Sequence, residues 1–283
     1  MSSDPLKIPK RPTVLELTQD RGRLIAIGDV HGCISELTKL LFELKPTEND
    51  TIIFVGDLVD RGPDSPEVVR MVYDLCCGQW INMSGTRIET QGNYCIMGNH
   101  DEKLVRWWHH KVKRAIYPEY KIPMKPRDAK DQHDDMAYRH IGWLSTVPQA
   151  AVVDTPHGRR IFTHAGLIKG LAFDQKTSGL IRNRYLDANT WSPKHCIKDE
   201  HGQWHQPPDS VLWDEIWDGP RVIYGHIVHD LKTPRIKNDC YGIDTGCVFG
   251  GHLTAYVEHL EDGFVEFVQV QANDTYCQER NME

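Results

Sequence analysis

Residues 23–32, Arg23-Leu24-Ile25-Ala26-Ile27-Gly28-Asp29-Val30-His31-Gly32, run from an apolar stretch into a glycine, a carboxylate and an imidazole. A short apolar run closed by glycine reads as a buried strand. The pattern recurs twice. Thr51-Ile52-Ile53-Phe54-Val55 leads into Gly56-Asp57-Leu58-Val59-Asp60-Arg61-Gly62, and Tyr94-Cys95-Ile96-Met97 leads into Gly98-Asn99-His100-Asp101. The glycines let the backbone turn sharply and come close to an ion. Helical stretches separate the runs. Leu37, Leu40, Leu41 and Leu44 recur at helical spacing behind Ser35, read as the cap. Ser65-Pro66 reads as a cap with a first-turn proline ahead of Val68, Val69, Val72 and Leu75. From Asp101 onward the chain reads as helix again. The order β-α-β-α-β-α predicts an α/β core. In such sheets ligands bind at the carboxyl ends of the strands. Three strands therefore deliver Asp29, His31, Asp57 and Asn99 to one edge. A single Gly-Asp after a strand is ordinarily a turn; three in consecutive units, each offering carboxylate, imidazole or amide, point to metal chemistry.

The second half reads as mostly β. Residues 150–153 and 160–163 flank a His157-Gly158 turn and predict a hairpin, and 222–224, 253–257 and 264–268 read as further strands. Two of these strands also end in histidine: Thr163-His164-Ala165-Gly166 and Gly225-His226. The first twenty residues read as a flexible lead-in, residues 21–270 as one domain, and 271–283 as a tail. Residues 106–135 and 187–210 read as insertions, the second as a long loop because it lacks periodicity. Long ordered loops tend to serve binding sites.

Bulk composition narrows the function classes. The chain has 283 residues, 40% hydrophobic and 26% charged, which suits one sizeable core. A net charge of −7 argues against a nucleic-acid coat or a membrane-surface protein, both of which need a basic face, though a local basic patch is compatible with it. The eight cysteines contain no Cys-x-x-Cys pair and lie mostly in apolar runs. They read as reduced core residues of an intracellular protein rather than a thiolate zinc site. No segment is apolar over enough length to span a bilayer. A cytoplasmic address is the default, with an organellar one compatible if a transit peptide has been removed.

The ordered set Gly-Asp-x-His-Gly, Gly-Asp-x-x-Asp-Arg-Gly, Gly-Asn-His and two separated histidines resembles the metallophosphoesterase superfamily, in its serine/threonine protein phosphatase-like branch. The likeness covers residues 23 to about 268. It implies an α/β sandwich of two β-sheets flanked by helices, holding two divalent ions. By that resemblance Asp29 and His31 bind the first ion, Asp57 bridges both, and Asn99, His164 and His226 bind the second. Oxygen and imidazole donors without thiolate suit manganese, the leading choice, with iron, zinc or cobalt as alternatives. Two such ions acidify a shared water and neutralise phosphoryl oxygens. His100 resembles the family's general acid, Asp60 the carboxylate that orients it, and Arg61 a forked phosphate contact. A structural salt bridge beside Asp60 is the alternative for Arg61.

Three features lean toward nucleotide phosphatases of the diadenosine tetraphosphatase type, the symmetrical ones in particular. These are Thr163-His164-Ala165-Gly166-Leu167, the Arg-x-Arg-aromatic run Arg182-Asn183-Arg184-Tyr185, and the glycine-rich run 242–255. Arg182 and Arg184 are thereby expected on the polyphosphate, and nucleoside diphosphates as products. Asp101 stands where many protein phosphatases carry Glu, and the insertions have no counterpart, so the likeness thins at the substrate surface. Lys103 to Lys130 is basic and holds Trp107, Trp108, Tyr117 and Tyr120. A solvated helix with tryptophans packed on the domain is favoured there; base stacking, extending to an RNA cap, is the alternative. A Ser/Thr or Tyr protein phosphatase, a decapping enzyme and a non-catalytic nucleotide sensor are the competing functions. The sequence leaves the oligomeric state open.

Overall fold

A computed structural model describes residues 8–78, 90–124, 130–201 and 204–278. Residues 1–7 of the expected lead-in, 125–129 of the basic segment and 279–283 of the expected tail lie outside them.

In chain order, the first half holds strands β1 (Val14–Thr18), β2 (Arg23–Ile27), β3 (Thr51–Phe54) and β4 (Gly92–Cys95). With them are helices α1 (Ile34–Leu44), α2 (Ser65–Cys76) and α3 (Asn99–Ile116). Two short helices follow, α4 (Lys130–Asp135) and α5 (Tyr138–Leu144). The hairpin is β5 (Ala150–Thr155) and β6 (Gly158–Thr163), followed by α6 (Thr177–Leu180). The short strands β7 (Tyr185–Asp187), β8 (Pro193–Lys194), β9 (Ile197–Lys198), β10 (Trp204–His205) and β11 (Ser210–Leu212) come next. The chain closes with β12 (Arg221–Tyr224), β13 (Arg235–Lys237), β14 (Cys240–Gly242), β15 (Asp244–Thr245), β16 (His252–His259) and β17 (Val265–Gln271).

Two six-stranded sheets carry the fold. One has the order β1-β5-β6-β12-β14-β13; the other runs β15-β16-β2-β3-β4, with β17 on β16. Strands β2, β3 and β4 are mutually parallel, as the crossovers through α1 and α2 require. Alternation along β2 shows how the layers form. Leu24 and Ala26 face the other sheet, where they meet Val153, Phe162 and Ile223. Ile25 and Ile27 face the opposite way, where Leu37, Leu40 and Leu41 of α1 and Val68, Val69 and Val72 of α2 cover them. Both faces are buried, so β2 and β3 read as continuous apolar runs rather than alternating ones. Each leucine, isoleucine, valine or phenylalanine so buried contributes roughly 1.5–3 kcal/mol. The outer face of the first sheet is closed by Leu180, Leu186, Trp213 and Trp217. Two sheets face to face with helices outside match the fold expected.

Several local readings are corrected. The lead-in is not flexible through residue 20: β1 pairs in parallel with β5 from Val14 opposite Ala150 to Thr18 opposite Asp154. Its partner lies more than a hundred residues away, and nothing local announces it. The described residues of 187–210 are not an irregular loop; they contribute to a three-stranded sheet, β11-β7-β8, and a β9–β10 pair. Strands of two or three residues are too short to show a period of two. The caps also move by a position or two. Cys33 precedes α1, so Ser35 lies inside the helix. Asp64 caps α2, its carboxylate accepting the Glu67 N–H at 3.0 Å. Helix α3 begins at Asn99 rather than Asp101.

Candidate metal centre

The carboxyl ends of β2, β3, β4, β6 and β12 open onto one edge, bringing both sheets to a single site. Asp29 and His31 follow β2, Asp57 follows β3, Asn99 begins the helix after β4, and His164 and His226 follow β6 and β12. Backbone bonds lock these turns together: the Val30 and His31 N–H groups donate to Asp57 O, and Gly225 N–H donates to His164 O. His31, Asp57, Asp60, Arg61 and His226 all adopt positive φ, between 44° and 71°. A non-glycine residue there costs roughly 1–3 kcal/mol and persists where the surroundings enforce it. Two glycines supply the clearance. A Cβ on Gly98 would lie 2.1 Å from Asp57 Oδ1, and one on Gly225 would lie 2.0 Å from Asp29 Oδ1.

Asp57 is the centre of the arrangement. One group of donor atoms is His31, Asp57 and His100; a second is Asp57, His164 and His226; within each, the atoms lie within 4.8 Å of one another, and every residue is buried. His31 Nε2 is 3.7 Å and His164 Nε2 is 3.3 Å from Asp57 Oδ2. The imidazoles are turned by backbone carbonyls: His31 Nδ1 is 2.7 Å from Val59 O, and His164 Nδ1 is 2.9 Å from Val55 O. Assigning Nδ1 as the donor leaves each Nε2 a lone pair aimed into the site. Burial, with Arg61 and His100 alongside, pushes His31 down to about 3, which keeps that nitrogen unprotonated. Burial and the neighbouring Arg184 and His164 likewise push His226 well down.

The carboxylates show the complementary strain. Burial, with Asp244 and Asp57 nearby, raises the Asp29 pKa well above the usual range. Burial opposes ionisation of Asp57 too, but His164 and His100 outweigh it and hold that pKa well down. Burial lowers the His164 pKa, and the Asp57 charge more than reverses this. Asn99 Oδ1 lies 3.0 Å from His164 Nε2, so an amide oxygen, a carboxylate oxygen and an imidazole nitrogen converge on one point. A proton or a cation there satisfies all three. Guanidinium groups meet two of the remaining lone pairs: Arg61 Nη1 donates to His31 Nε2 at 2.7 Å, and Arg184 Nε to His226 Nε2 at 3.1 Å. Asp29 lies in neither donor group, and both its carboxylate oxygens accept the His226 N–H at 3.1 Å. The oxygen and imidazole donors gathered on Asp57 fit divalent ions.

His100 stands beside the cluster with Nδ1 2.6 Å from Asp60 Oδ2. Burial would raise the Asp60 pKa, but hydrogen bonds from His100 and His133 hold it below the usual carboxylate range. Arg61 makes no salt bridge to Asp60 among the described residues; it points to His31 and lies over the Phe249 ring at 5.3 Å. Arg182 and Arg184 part company. Arg182 Nη2 pairs with Glu102 Oε2 at 2.6 Å, while Arg184 enters the site. In the basic segment, Trp108 packs on the core and donates to His133 O at 3.1 Å, and Lys111 Nζ lies 4.5 Å from its ring centroid.

Sequence reasoning missed three site residues. Asp244 presses on Asp29 and lies inside the glycine-rich run, but nothing marks its direction. Asp101 accepts the N–H groups of Asp57, Leu58 and Gly98 at 2.8, 3.0 and 3.0 Å, tying two strand-end turns together. His133 reaches Asp60 from the inserted segment, far away in the sequence.

A two-sheet α/β sandwich with two donor groups meeting on a shared aspartate, and arginines beside them, suits a metal-dependent phosphoesterase. The chain belongs to the calcineurin-like phosphoesterase family, whose model matches residues 22–230. It is therefore a hydrolase of a family that implies divalent metal ions. It is 29% identical over 266 residues to the bis(5'-nucleosyl)-tetraphosphatase PrpE of Oceanobacillus iheyensis, named asymmetrical, covering 90% of this chain and 94% of that one. A relative of the same name in a Geobacillus species is 31% identical, over 81% of this chain and 88% of that one. A bis(5'-nucleosyl)-tetraphosphatase of Vibrio cholerae, named symmetrical, is 28% identical over 81% and 92% of the two chains. A crystal structure of a candidate diadenosine tetraphosphatase superposes with a TM-score of 0.63 at 25% identity, covering 93% of this chain and all of that one. Among the described residues no helix is long and apolar enough to cross a membrane.

Proposed function

We propose that this protein hydrolyses phosphoanhydride bonds of dinucleoside polyphosphates such as diadenosine tetraphosphate, using two divalent ions, manganese first among them. The observation that carries the reading is the pair of donor groups sharing Asp57, with Arg61 and Arg184 donating to the imidazoles of His31 and His226. Asp29, His31 and Asp57 would hold one ion; Asp57, Asn99, His164 and His226 would hold the other. When bound, such ions supply Lewis-acid charge to phosphoryl oxygens and lower the pKa of water.

The protein's own groups do the rest. Arg61 and Arg184 exchange their imidazole contacts for phosphate oxygens, which guanidinium forks match in geometry and charge. Arg182 meets a more distant phosphate only by exchanging Glu102 for it. His100 keeps Nδ1–H on Asp60, so its other nitrogen is left to hand a proton to the departing phosphate oxygen. The names of the relatives favour a dinucleotide over a phosphoprotein, and a cytoplasmic address is part of the same proposal.

The test compares turnover of diadenosine tetraphosphate, a phosphopeptide and capped RNA by the manganese-loaded protein. Preference for the dinucleotide is expected; preference for the phosphopeptide or the cap would overturn the reading. Products then locate the cut. Two nucleoside diphosphates mark the central bond, as the sequence resemblance leads one to expect; a mono- and a triphosphate mark an outer one.

A further inference from the structure

We infer that His133, delivered by the inserted segment, is a positioning residue that completes a His133–Asp60–His100 chain and fixes the imidazole beside the metal centre. The Asp60 carboxylate is bound on both oxygens. His100 Nδ1 lies 2.6 Å from Oδ2 and His133 Nε2 lies 2.5 Å from Oδ1. Asp60 and His133 are each only 1% exposed. Held from one side, a carboxylate can rotate about its Cβ–Cγ bond; held from both, its plane is set, and so is the direction in which it holds His100. His133 Nδ1 is buried without a partner. Hydrogen on Nε2 therefore serves Asp60 and leaves only a lone pair unmatched, whereas the other tautomer would bury a bare N–H against nothing.

The neighbouring residue fastens the same loop. Gln132 Oε1 accepts the Ser65 N–H at 3.0 Å, and Gln132 Nε2 donates to Gly62 O and Pro63 O at 3.2 Å each. Ser65 Oγ in turn accepts the Asp60 N–H at 3.1 Å. Asp60 and Arg61 both have φ near 70°, so this turn needs external support, and α4 supplies it. The insertion is thus tied to the reaction centre through two consecutive side chains. Misplacing a reacting group by about 1 Å can cost about 10²-fold in rate.

This inference rests on the hydrolase reading, and the experiment separates the two. His133→Leu removes the donor; His133→Gln keeps an N–H at similar reach. Each is assayed with manganese on p-nitrophenyl phosphate and on phenyl phosphate, whose leaving group needs a proton far more. For His133→Leu we expect kcat on phenyl phosphate to fall about tenfold or more, part of the 10²–10⁴-fold that a general acid contributes in full. Loss on p-nitrophenyl phosphate should stay under about threefold, KM should hold, and His133→Gln should recover most of the loss. Equal losses on both esters, or no loss, overturn the proposal. A second readout needs no turnover. In the metal-free protein, the proton NMR signal of His100 Nδ1–H should move or broaden in His133→Leu and return in His133→Gln. An unmoved signal overturns the positioning role even if no phosphate ester proves to be a substrate. Inactivity of the unmutated protein on every phosphate, with the signal moving as described, strikes the hydrolase reading alone.

Discussion

Gly98→Ala isolates the geometry of the centre in a single methyl group. Gly98 has φ −89° and ψ 172°, which alanine adopts freely, so the substitution carries no backbone penalty of its own. The added Cβ would lie 2.1 Å from Asp57 Oδ1 and 2.2 Å from Asp57 N. Real Cβ atoms essentially never come within 3.0 Å of such neighbours, so Asp57 or the Gly98 turn must move by about 0.9 Å. Neither yields easily. Asp57 N–H donates to Asp101, Asp57 O accepts from Val30 and His31, and Asp57 Oδ1 accepts the His100 N–H at 2.9 Å. Overpacking of this kind costs about 1–3 kcal/mol of stability, and a shift near 1 Å costs about 100-fold in kcat/KM, or about 2.7 kcal/mol. The assay is turnover of diadenosine tetraphosphate with manganese, beside metal content by mass spectrometry and a thermal melt. Gly142→Ala is the control, because nothing lies within 4 Å of a Cβ there; in the interior of α5 it should stabilise by about 0.5–1 kcal/mol and leave turnover alone. Gly98→Ala active within about threefold of the parent, with full metal content, would refute the reasoning.

Other outcomes follow from the same contacts. Asp57→Asn should lower metal content and bring turnover close to background, since it removes the carboxylate common to both donor groups; His100→Asn should keep the metal and lose about 10²-fold or more in rate, mostly for poor leaving groups. Steady-state kinetics with metal analysis separates them, and loss of metal from His100→Asn would contradict its assigned role. Arg184→Ala should lose about 10-fold or more in kcat/KM on the polyphosphate, while Arg182→Ala, which breaks only the pair to Glu102, should lose far less; equal losses would place Arg182 on the substrate. Asp50 supplies a pH test far from the centre. Its carboxylate accepts from Arg23 N, Nε and Nη2 and from Thr47 N and Oγ1. Burial would raise its pKa, but the Arg23 bonds outweigh this and lower it. A depressed folded-state pKa gives stability that is full above the unfolded value and lost as pH falls through the folded one. Asp50→Asn should therefore destabilise by about 2–3 kcal/mol at pH 7, with the difference shrinking below about pH 4; a constant difference in denaturant melts across that range would count against it.

The centre was legible where its residues are contiguous with the strands that present them. Gly28-Asp29, Gly56-Asp57 and Gly98-Asn99 each follow a run whose period and length mark it as buried, and the sheet rule brings those ends together. What stayed hidden depends on distance or on backbone shape. The Glu102 that captures Arg182 lies 80 residues before it, and no local pattern separates that arginine from Arg184. His133 acts from 73 residues beyond Asp60, in a stretch whose composition shows only charge and aromatics. The positive φ values of His31, Asp57, Asp60, Arg61 and His226 carry no sequence mark, because the conformation is imposed by neighbours rather than by glycine. Strand β1 was missed for the same reason as β7 and β8: short segments are made into strands by partners remote in the chain.

Anomalous diffraction at the manganese edge, from crystals grown with that ion, tests the central claim most directly. Two peaks flanking the Asp57 carboxylate are expected, one contacted by Asp29 and His31 and the other by Asn99, His164 and His226, with Arg61 and Arg184 displaced from the imidazoles they now touch. No peak or a single one, or peaks elsewhere with both arginines still in place, would contradict the two-ion account.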